Sequence, residues 1–566
     1  MSGSPADARP CTLRESLSYE PVELAFGTSG LRGLVRDITC LEAYVNTRGF
    51  LAACAREGGR RGDAGVCLAG DLRPSTERVM RAVACAVADE GLPLVHLGRI
   101  PSPALMAFAV RRGLPSVMVT GSHIPFDRNG IKFNTGAGEV TKAEEPAILS
   151  AVRKAREREY ARCAGESIFD SNGALHPEHR SALPPALEEA RSDYISRYTS
   201  AFPRGPLAGR RVLVYQHSAV GRDILVEVLS ALGADVVPAG RSESFVAVDT
   251  EAVSDSMIAD IQALVEANGG AALDAVVSTD GDSDRPLVLA VDGGRLRFVP
   301  GDILGMVAAD FLGVRSAAVP VSASDALDLY LGPRGVRLTR TRIGSPHVIA
   351  AMVEGGAEAG WEANGGFLTA VPLAVPDGGS LGPLATRDAL LPILALLYAS
   401  LGRGMSVAEL LSQLPSRFGC SSLLRPFPRD RALAIVAALS PANPDIVEAR
   451  FETPEGRQPH TTMIRAGDTT GPDVADESVA KELARIRSRL EGFFTPRDGF
   501  ARVAWINWLD GVRVGFANGD VAHVRPSGNA PELRIYALAD SPERADAIVA
   551  RVITPDGVLR KMQAVL

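Results

Sequence analysis

One supersecondary pattern is written three times along this chain: a short unbroken apolar run, a polar turn, an amphipathic helix, and a second apolar run. The first copy opens with VCLAGD (66–71). Pro74-Ser75 then starts a helix striped by Val79, Val83 and Val87, Gly91 caps it, and LPLVHLG follows. The second runs from VLVY (212–215) through a helix striped by Ile224, Val228 and Leu232 to Gly233 and DVV. The third is AAVPV (317–321), a turn at 322–325, the short helix ALDLYL, and VRLTRT. Continuous apolar strands alternating with helices predict α/β layers with mixed, mainly parallel sheets. The copies are unevenly spaced, so they are separate domains and not turns of a solenoid.

A chain of 566 residues also exceeds the ~250–300 at which one core stops growing. The last part changes character. AWINWLDGVRVGFANGDVAHV alternates apolar and polar residues around turns at Asp510-Gly511 and Asn518-Gly519, and Ser541-Pro542 begins a final helix. The expected organisation is three similar α/β domains (1–190, 191–300, 301–415) and a C-terminal α+β domain (416–566). The polar, highly charged and partly helical stretch 466–499 reads as an insertion without chemistry.

The net charge of −7 argues against a nucleic-acid surface. Seven scattered cysteines, an odd number with no C-x-x-C pair, exclude a disulfide framework or zinc module and suit a reducing compartment. The first 20 residues lack the apolar core of a signal peptide, and Leu390–Leu401 is too short to cross a ~30 Å hydrocarbon layer. The expectation is a cytoplasmic protein without membrane or nucleic-acid partners, monomeric or homodimeric. Among 60 basic residues only five are Lys, which draws attention to each Lys that stands near chemistry.

The sharpest local signal is STDGDSDRP (278–286), directly after the apolar run LDAVV. Asp280, Asp282 and Asp284 fall at alternate positions, which share a face in extended chain, so three carboxylates converge. A hard divalent cation relieves their repulsion. The segment is not an EF-hand, because Arg285 and Val291 stand where Gly and Glu are required.

VMVTGSHIPFDRNGIKF (117–133) likewise delivers a strand end to a polar loop, where open α/β sheets bind ligands. Ser122 and His123 sit at its tip as nucleophile and neighbour, and Asn129-Gly130 reads as a turn that brings Lys132 back. The hydrolase elbow G-x-S-x-G is absent. FGTSGLRG (26–33) and RPSGNAPELR (525–534) combine Gly, small hydroxyl residues and Arg, the makings of anion nests with guanidinium forks. Neither is a Walker loop. GWEANGGF (360–367) spaces a carboxylate and an amide by one residue, which suits sugar hydroxyls.

These five segments, in this order, resemble the α-D-phosphohexomutase family, in particular bacterial phosphomannomutases and phosphoglucomutases. The resemblance implies four domains around a central cleft. It makes Ser122 the phosphoserine, His123 and Lys132 its catalytic neighbours, and Arg32 a residue facing the active site. Asp280, Asp282 and Asp284 would hold Mg²⁺ with a phosphoserine oxygen, beside Arg285. Glu362 and Asn364 would bind sugar hydroxyls, and Arg525, Ser527, Gly528, Asn529 and Arg534 the non-reacting phosphate. The chain departs from the family wording at Ile124 (where Asn is common), Asn364 (Ser), Gly366 (His), Ser345, and Asn529-Ala530 (Thr-Glu).

The activity implied is interconversion of mannose 1-phosphate and mannose 6-phosphate, with hexose 1,6-bisphosphate as intermediate and activator. Phosphoglucomutase, dual-specificity, phosphoglucosamine mutase, sugar-phosphate phosphatase and non-catalytic binding readings are the alternatives.

Overall fold

The structure is a computed structural model, and it describes residues 11–27, 30–56, 65–180, 182–452, 460–465, 471–526 and 532–565. By internal contacts the chain divides into two compact units, Met1–Val314 with Met352–Leu411, and Arg315–Ala351 with Ser412–Leu566.

In the first unit, the opening copy of the repeated pattern folds as read. Strand Val66–Gly70 leads into helix Thr76–Asp89 and returns as the parallel strand Leu94–Arg99. Val79, Val83 and Val87 are fully buried against the sheet, as their spacing requires. The second copy, Arg211–His217, Arg222–Ala231 and Asp235–Arg241, is parallel in the same way. Both sheets are mixed rather than purely parallel. In the first, Ser116–Val119 lies beside Val66–Gly70 in parallel and then pairs antiparallel with Arg128–Thr135. In the second, Ala275–Thr279 is parallel to Arg211–His217 and antiparallel to Pro286–Asp292. Each of these two hairpins interrupts the parallel order at the end of a buried strand, and its loop is where the polar motifs sit.

A third hairpin in this unit joins Ala359–Trp361 to Phe367–Thr369, which pairs in turn with Leu384–Asp388. The helix Leu390–Gly402 that follows is apolar all round and buried along most of its length. No helix among the described residues is long and apolar enough to cross a membrane.

In the second unit, Ser316–Pro320, Ala326–Leu331 and Arg337–Thr341 form the third copy, again parallel. Among the described residues, the C-terminal part holds an antiparallel sheet of seven strands. Its centre is the predicted set of strands Val503–Asn507, Val512–Phe516 and Val521–Pro526, to which the structure adds Leu533–Ala539. Helices cover it, which makes this part α+β.

Two expectations are corrected here. Residues 477–493 are not an inserted segment: helix Glu477–Phe493 presents Leu483, Ile486, Leu490 and Phe493 at helical spacing to the core of this unit. Its charge lies on the outer face, and Asp476 caps its first turn. Nor is the helix at Pro542–Ile553 the last, since Val558–Val565 follows and packs on the same core.

Candidate active site

Ser122 stands at the tip of the loop between Ser116–Val119 and Arg128–Thr135, with a left-handed backbone (φ 53°). Such a conformation is costly for a residue with a Cβ and persists only where its surroundings over-determine it. Here they do. Arg73, fully buried, donates to the carbonyls of Ser122 (2.9 Å), Ile124 (2.5 Å), Pro125 (2.7 Å) and Arg128 (2.9 Å). Asp71 pairs with Arg73 at 3.2 Å and accepts from the Thr120 hydroxyl (2.8 Å) and the Gly121 amide (3.2 Å). The Thr120 hydroxyl in turn accepts from the Ser122 amide at 2.8 Å. A Cβ at Gly121 would lie 2.5 Å from the Arg73 guanidinium, so the clamp and that glycine belong together.

Lys132 reaches the site differently from the sequence expectation. Asn129-Gly130 is not the turn; both residues lie inside strand Arg128–Thr135, and the reversal occupies the loop before it. Asn129 is buried and donates to Ser75 Oγ (2.8 Å), and Gly130 lies opposite Arg32. A Cβ on Gly130 would come within 2.5 Å of the Leu31 carbonyl, so glycine serves close approach here, not turning.

The three carboxylates do converge, but a tight turn brings them together rather than extended chain. The Asp280 carbonyl accepts from the Ser283 amide (3.1 Å), the Asp280 amide donates to the Arg285 carbonyl (3.0 Å), and Ser283 is left-handed (φ 57°). One oxygen from each of Asp280, Asp282 and Asp284 lies within 4.8 Å of the others, and all three residues are buried. Ser122 Oγ donates to Asp280 Oδ2 at 2.5 Å. Lys132 Nζ donates to Asp282 Oδ2 (2.6 Å) and Asp284 Oδ2 (2.8 Å), and Ser102 Oγ also donates to Asp282 Oδ2 (2.6 Å). The second oxygens of Asp282 and Asp284 are buried without a hydrogen-bond partner. Clustered carboxylates with oxygens buried and free of hydrogen bonds are the donor set of a hard, oxygen-seeking divalent cation, so the cluster is compatible with a metal site.

The electrostatics follow from that crowding. Burial, and then Asp282 and Asp284, push the Asp280 carboxyl well above its usual range. Burial acts the same way on Asp284, but Arg387, Lys132 and Arg285 overcome it and hold that group far below. His123 Nδ1 is 3.3 Å from Ser122 Oγ. Burial, and then Arg285 and Arg32, depress its pKa to about 2, so it is a neutral imidazole. Burial also opposes charge on Lys132, yet Asp282 and Asp284 more than compensate and raise its pKa. Arg32 lies in the same field, lowered to about 10 by burial, Arg285 and Arg387 against the pull of Asp282 and Asp284.

The hairpin loop 362–366 joins this group. Asn364 Nδ2 donates to Glu362 Oε2 (3.4 Å), and Asn364 Oδ1 accepts from the Gly366 amide (3.0 Å). Arg285 pairs with Glu251 at 3.4 Å. Thus Arg32, Ser122, His123, Lys132, Asp280, Asp282, Asp284, Arg285, Glu362 and Asn364 all belong to the first unit.

In the second unit, Arg525 and Arg534 stand directly opposite each other on neighbouring strands. Arg525 donates to Asp510 Oδ1 at 3.0 Å, and Arg534 to Glu532 at 3.4 Å. Ser527, Gly528 and Asn529 lie outside the described residues, as do Thr28 and Ser29 of the first glycine-rich segment. Sequence reasoning missed Asp71, Arg73, Ser102, Glu251 and Arg387. The one available signal was Arg387-Asp388, a charged pair at the entrance to an apolar helix that must bury its partners.

Comparison with known proteins matches the chain domain by domain. Residues 23–159, 192–293 and 300–418 match the alpha/beta/alpha domains I, II and III of phosphoglucomutase/phosphomannomutase, and 473–554 match its C-terminal domain. A phosphomannomutase of Sinorhizobium fredii is 34% identical over 93% of this chain and 97% of its own length. One from Salmonella muenchen is 36% identical over 94% and 95%. A crystal structure of a phosphoglucomutase/phosphomannomutase family protein from Burkholderia thailandensis superposes with a TM-score of 0.65 at 17% identity, covering 96% of this chain and 98% of that one. Three α/β domains, a C-terminal α+β domain and a serine beside a carboxylate triad define a phosphohexomutase-type enzyme. The chain belongs to the phosphoglucomutase/phosphomannomutase family.

Proposed function

We propose that the protein is a phosphomannomutase, interconverting mannose 1-phosphate and mannose 6-phosphate through phospho-Ser122 and a hexose 1,6-bisphosphate. The observation that carries the chemistry is Ser122 Oγ in hydrogen bond with Asp280, at the edge of the three-carboxylate cluster. The choice of mannose rests on the relatives named phosphomannomutase that match nearly the whole chain.

Phosphate monoesters are among the slowest esters to react, and their transfer needs alignment and charge neutralisation above all. Mg²⁺ held by Asp280, Asp282, Asp284 and an oxygen on Ser122 would neutralise charge as it develops on the transferring group. The free sugar hydroxyl gives up its proton and attacks phosphorus as the Oγ–P bond of phospho-Ser122 breaks, and Ser122 Oγ takes up a proton to become the hydroxyl. The reverse transfer, from the other end of the bisphosphate, restores phosphoserine. His123 enters this cycle as neutral imidazole and Lys132 as ammonium, so Lys132 can give a proton at neutral pH and His123 cannot. Arg32 and Arg285 bear on the reacting phosphoryl group. Glu362 and Asn364 bind sugar hydroxyls, and Arg525, Ser527, Gly528, Asn529 and Arg534 take the phosphate that does not react.

A single hexose must bind in two orientations, so Glu362 and Asn364 must read hydroxyls that occupy comparable places both ways round. Such contacts do not separate mannose from glucose, which differ at C2, and one hydroxyl gives discrimination of about 1–3 kcal/mol in a permissive pocket. Activity on glucose 1-phosphate is therefore expected too. The test is a mutase assay on both 1-phosphates with Mg²⁺ and a trace of hexose 1,6-bisphosphate. Mannose 6-phosphate formed at least as fast as glucose 6-phosphate supports the assignment. A strong glucose preference makes the protein a phosphoglucomutase, and phosphate release in place of isomerisation refutes the mutase reading.

A further inference from the structure

Arg387 lies on strand Leu384–Asp388 and is 3% exposed. Its guanidinium spans two loops. Nη2 and Nε donate to Asp284 Oδ2 at 2.9 and 3.2 Å, and Nη1 donates to Glu362 Oε2 at 3.4 Å. Glu139 adds a third carboxylate to its field. Lys132 meets Asp284 at the same oxygen, so a run of charges extends from Asp282 through Lys132, Asp284 and Arg387 to Glu362, where Asn364 ends it. A planar fork can join two carboxylates on separate loops in fixed geometry; an ammonium of similar charge cannot.

Gly366 explains why the fork fits. Its backbone does not need glycine, since its φ lies outside the left-handed region, unlike that of Gly365 (φ 82°). Space is the reason. A Cβ at 366 would lie 2.7 Å from Arg387 Cβ, 2.8 Å from Arg387 Cγ and 2.7 Å from the Asp284 carbonyl. The loop position at which family members often carry a His is therefore closed to any side chain while Arg387 holds its place.

We propose that Arg387 is a positioning residue for the sugar loop, fixing the Glu362 carboxylate against Asp284 in the space that Gly366 leaves open. The inference deepens the reading of 362–366 as the sugar-binding loop and rests on it. Arg387 acts through Glu362: it sets the direction in which that carboxylate accepts from a sugar hydroxyl, so its loss falls on substrate binding more than on turnover.

The experiment measures kcat and KM for mannose 1-phosphate in the full chain with Mg²⁺, for wild type, Glu362→Gln, Arg387→Gln and the double variant. Each single variant should raise KM about tenfold or more, the scale of a lost hydrogen bond to a charged group, with a smaller change in kcat. The double variant should be no worse than the worse single one, because both changes remove one interaction. Gly366→Ala removes no charge but crowds Arg387, and should give the same rise in KM, again without adding to Glu362→Gln; it carries the test if Arg387→Gln does not fold. Penalties that multiply, or an unchanged KM in Gly366→Ala, overturn the inference while an active wild type leaves the mutase assignment standing. A wild type that isomerises no hexose phosphate removes the functional reading and this inference with it.

Discussion

Ser122 Oγ donates to Asp280 Oδ2 at 2.5 Å, which joins the hairpin loop carrying the serine to the one carrying the carboxylates. Both loops leave the end of a buried strand, so two rigid sheets fix the pair. Ser122→Ala should therefore fold as wild type and lose mutase activity by about 10⁴-fold or more, the scale of removing an attacking group. Incubation with radiolabelled hexose 1,6-bisphosphate should label wild type at Ser122, located by peptide mass spectrometry, and leave the alanine variant unlabelled. Label at any other residue would contradict the assignment.

The carboxylate cluster predicts a cation effect on stability that can be read without substrate. Three buried carboxylates repel one another, and a cation that binds only the folded chain stabilises it by about 2.7 kcal/mol at a hundredfold excess over its Kd. Mg²⁺ should raise the melting temperature of chelator-treated protein and restore its activity. Asp282→Asn should shrink that rise. Equal melting with and without Mg²⁺ would count against a metal site here.

The residues legible in the sequence were those whose partners are near in sequence or whose loop follows an obvious strand. Asp280, Asp282 and Asp284 crowd within one turn, and Ser122 lies just past an apolar strand. Arg73 and Arg387 were not legible, because what they hold lies far away along the chain, at 122–128 and at 284 and 362. Nothing local marks an arginine as buried in a chain where nearly every basic residue is arginine. Asn129-Gly130 misled for a related reason: a pair favoured in turns also suits a strand that another backbone approaches closely. The helical character of Glu477–Phe493 was legible, but its place in the core was not, because its charged face outweighs four buried positions at helical spacing.

Arg73 supplies a prediction about how the serine loop is held. Its ion pair with Asp71 is fully buried, and its guanidinium satisfies carbonyls along the loop. Arg73→Met leaves the Asp71 carboxyl buried without its guanidinium partner, which costs about 3–5 kcal/mol. The urea midpoint should fall accordingly. In Asp71→Asn/Arg73→Met, the loss should be smaller than the sum of the two single losses, since no carboxyl is left there without its partner. Strict additivity would mean that the pair does not act as a unit.

His523 predicts how the second unit responds to acid. It is buried, its Nε2 lies 2.6 Å from the Asp510 carbonyl, and its Nδ1 has no hydrogen-bond partner. Burial holds its pKa down at about 4, although the bond to Asp510 pulls the other way, and Arg513 adds to the depression. An unfolded histidine titrates near 6.5, so above that pH both states are neutral and this residue adds no pH dependence. As the pH falls from about 6.5 towards 4 the unfolded chain takes up the proton and the folded chain does not. Stability then drops by up to about 3 kcal/mol and levels off below the folded pKa. Urea unfolding followed at Trp505 and Trp508, both in this unit, should show that decline, and His523→Gln should flatten it. A wild-type midpoint that stays constant between pH 7 and pH 5 would mean that the imidazole gains its proton in the folded state as readily as in the unfolded one.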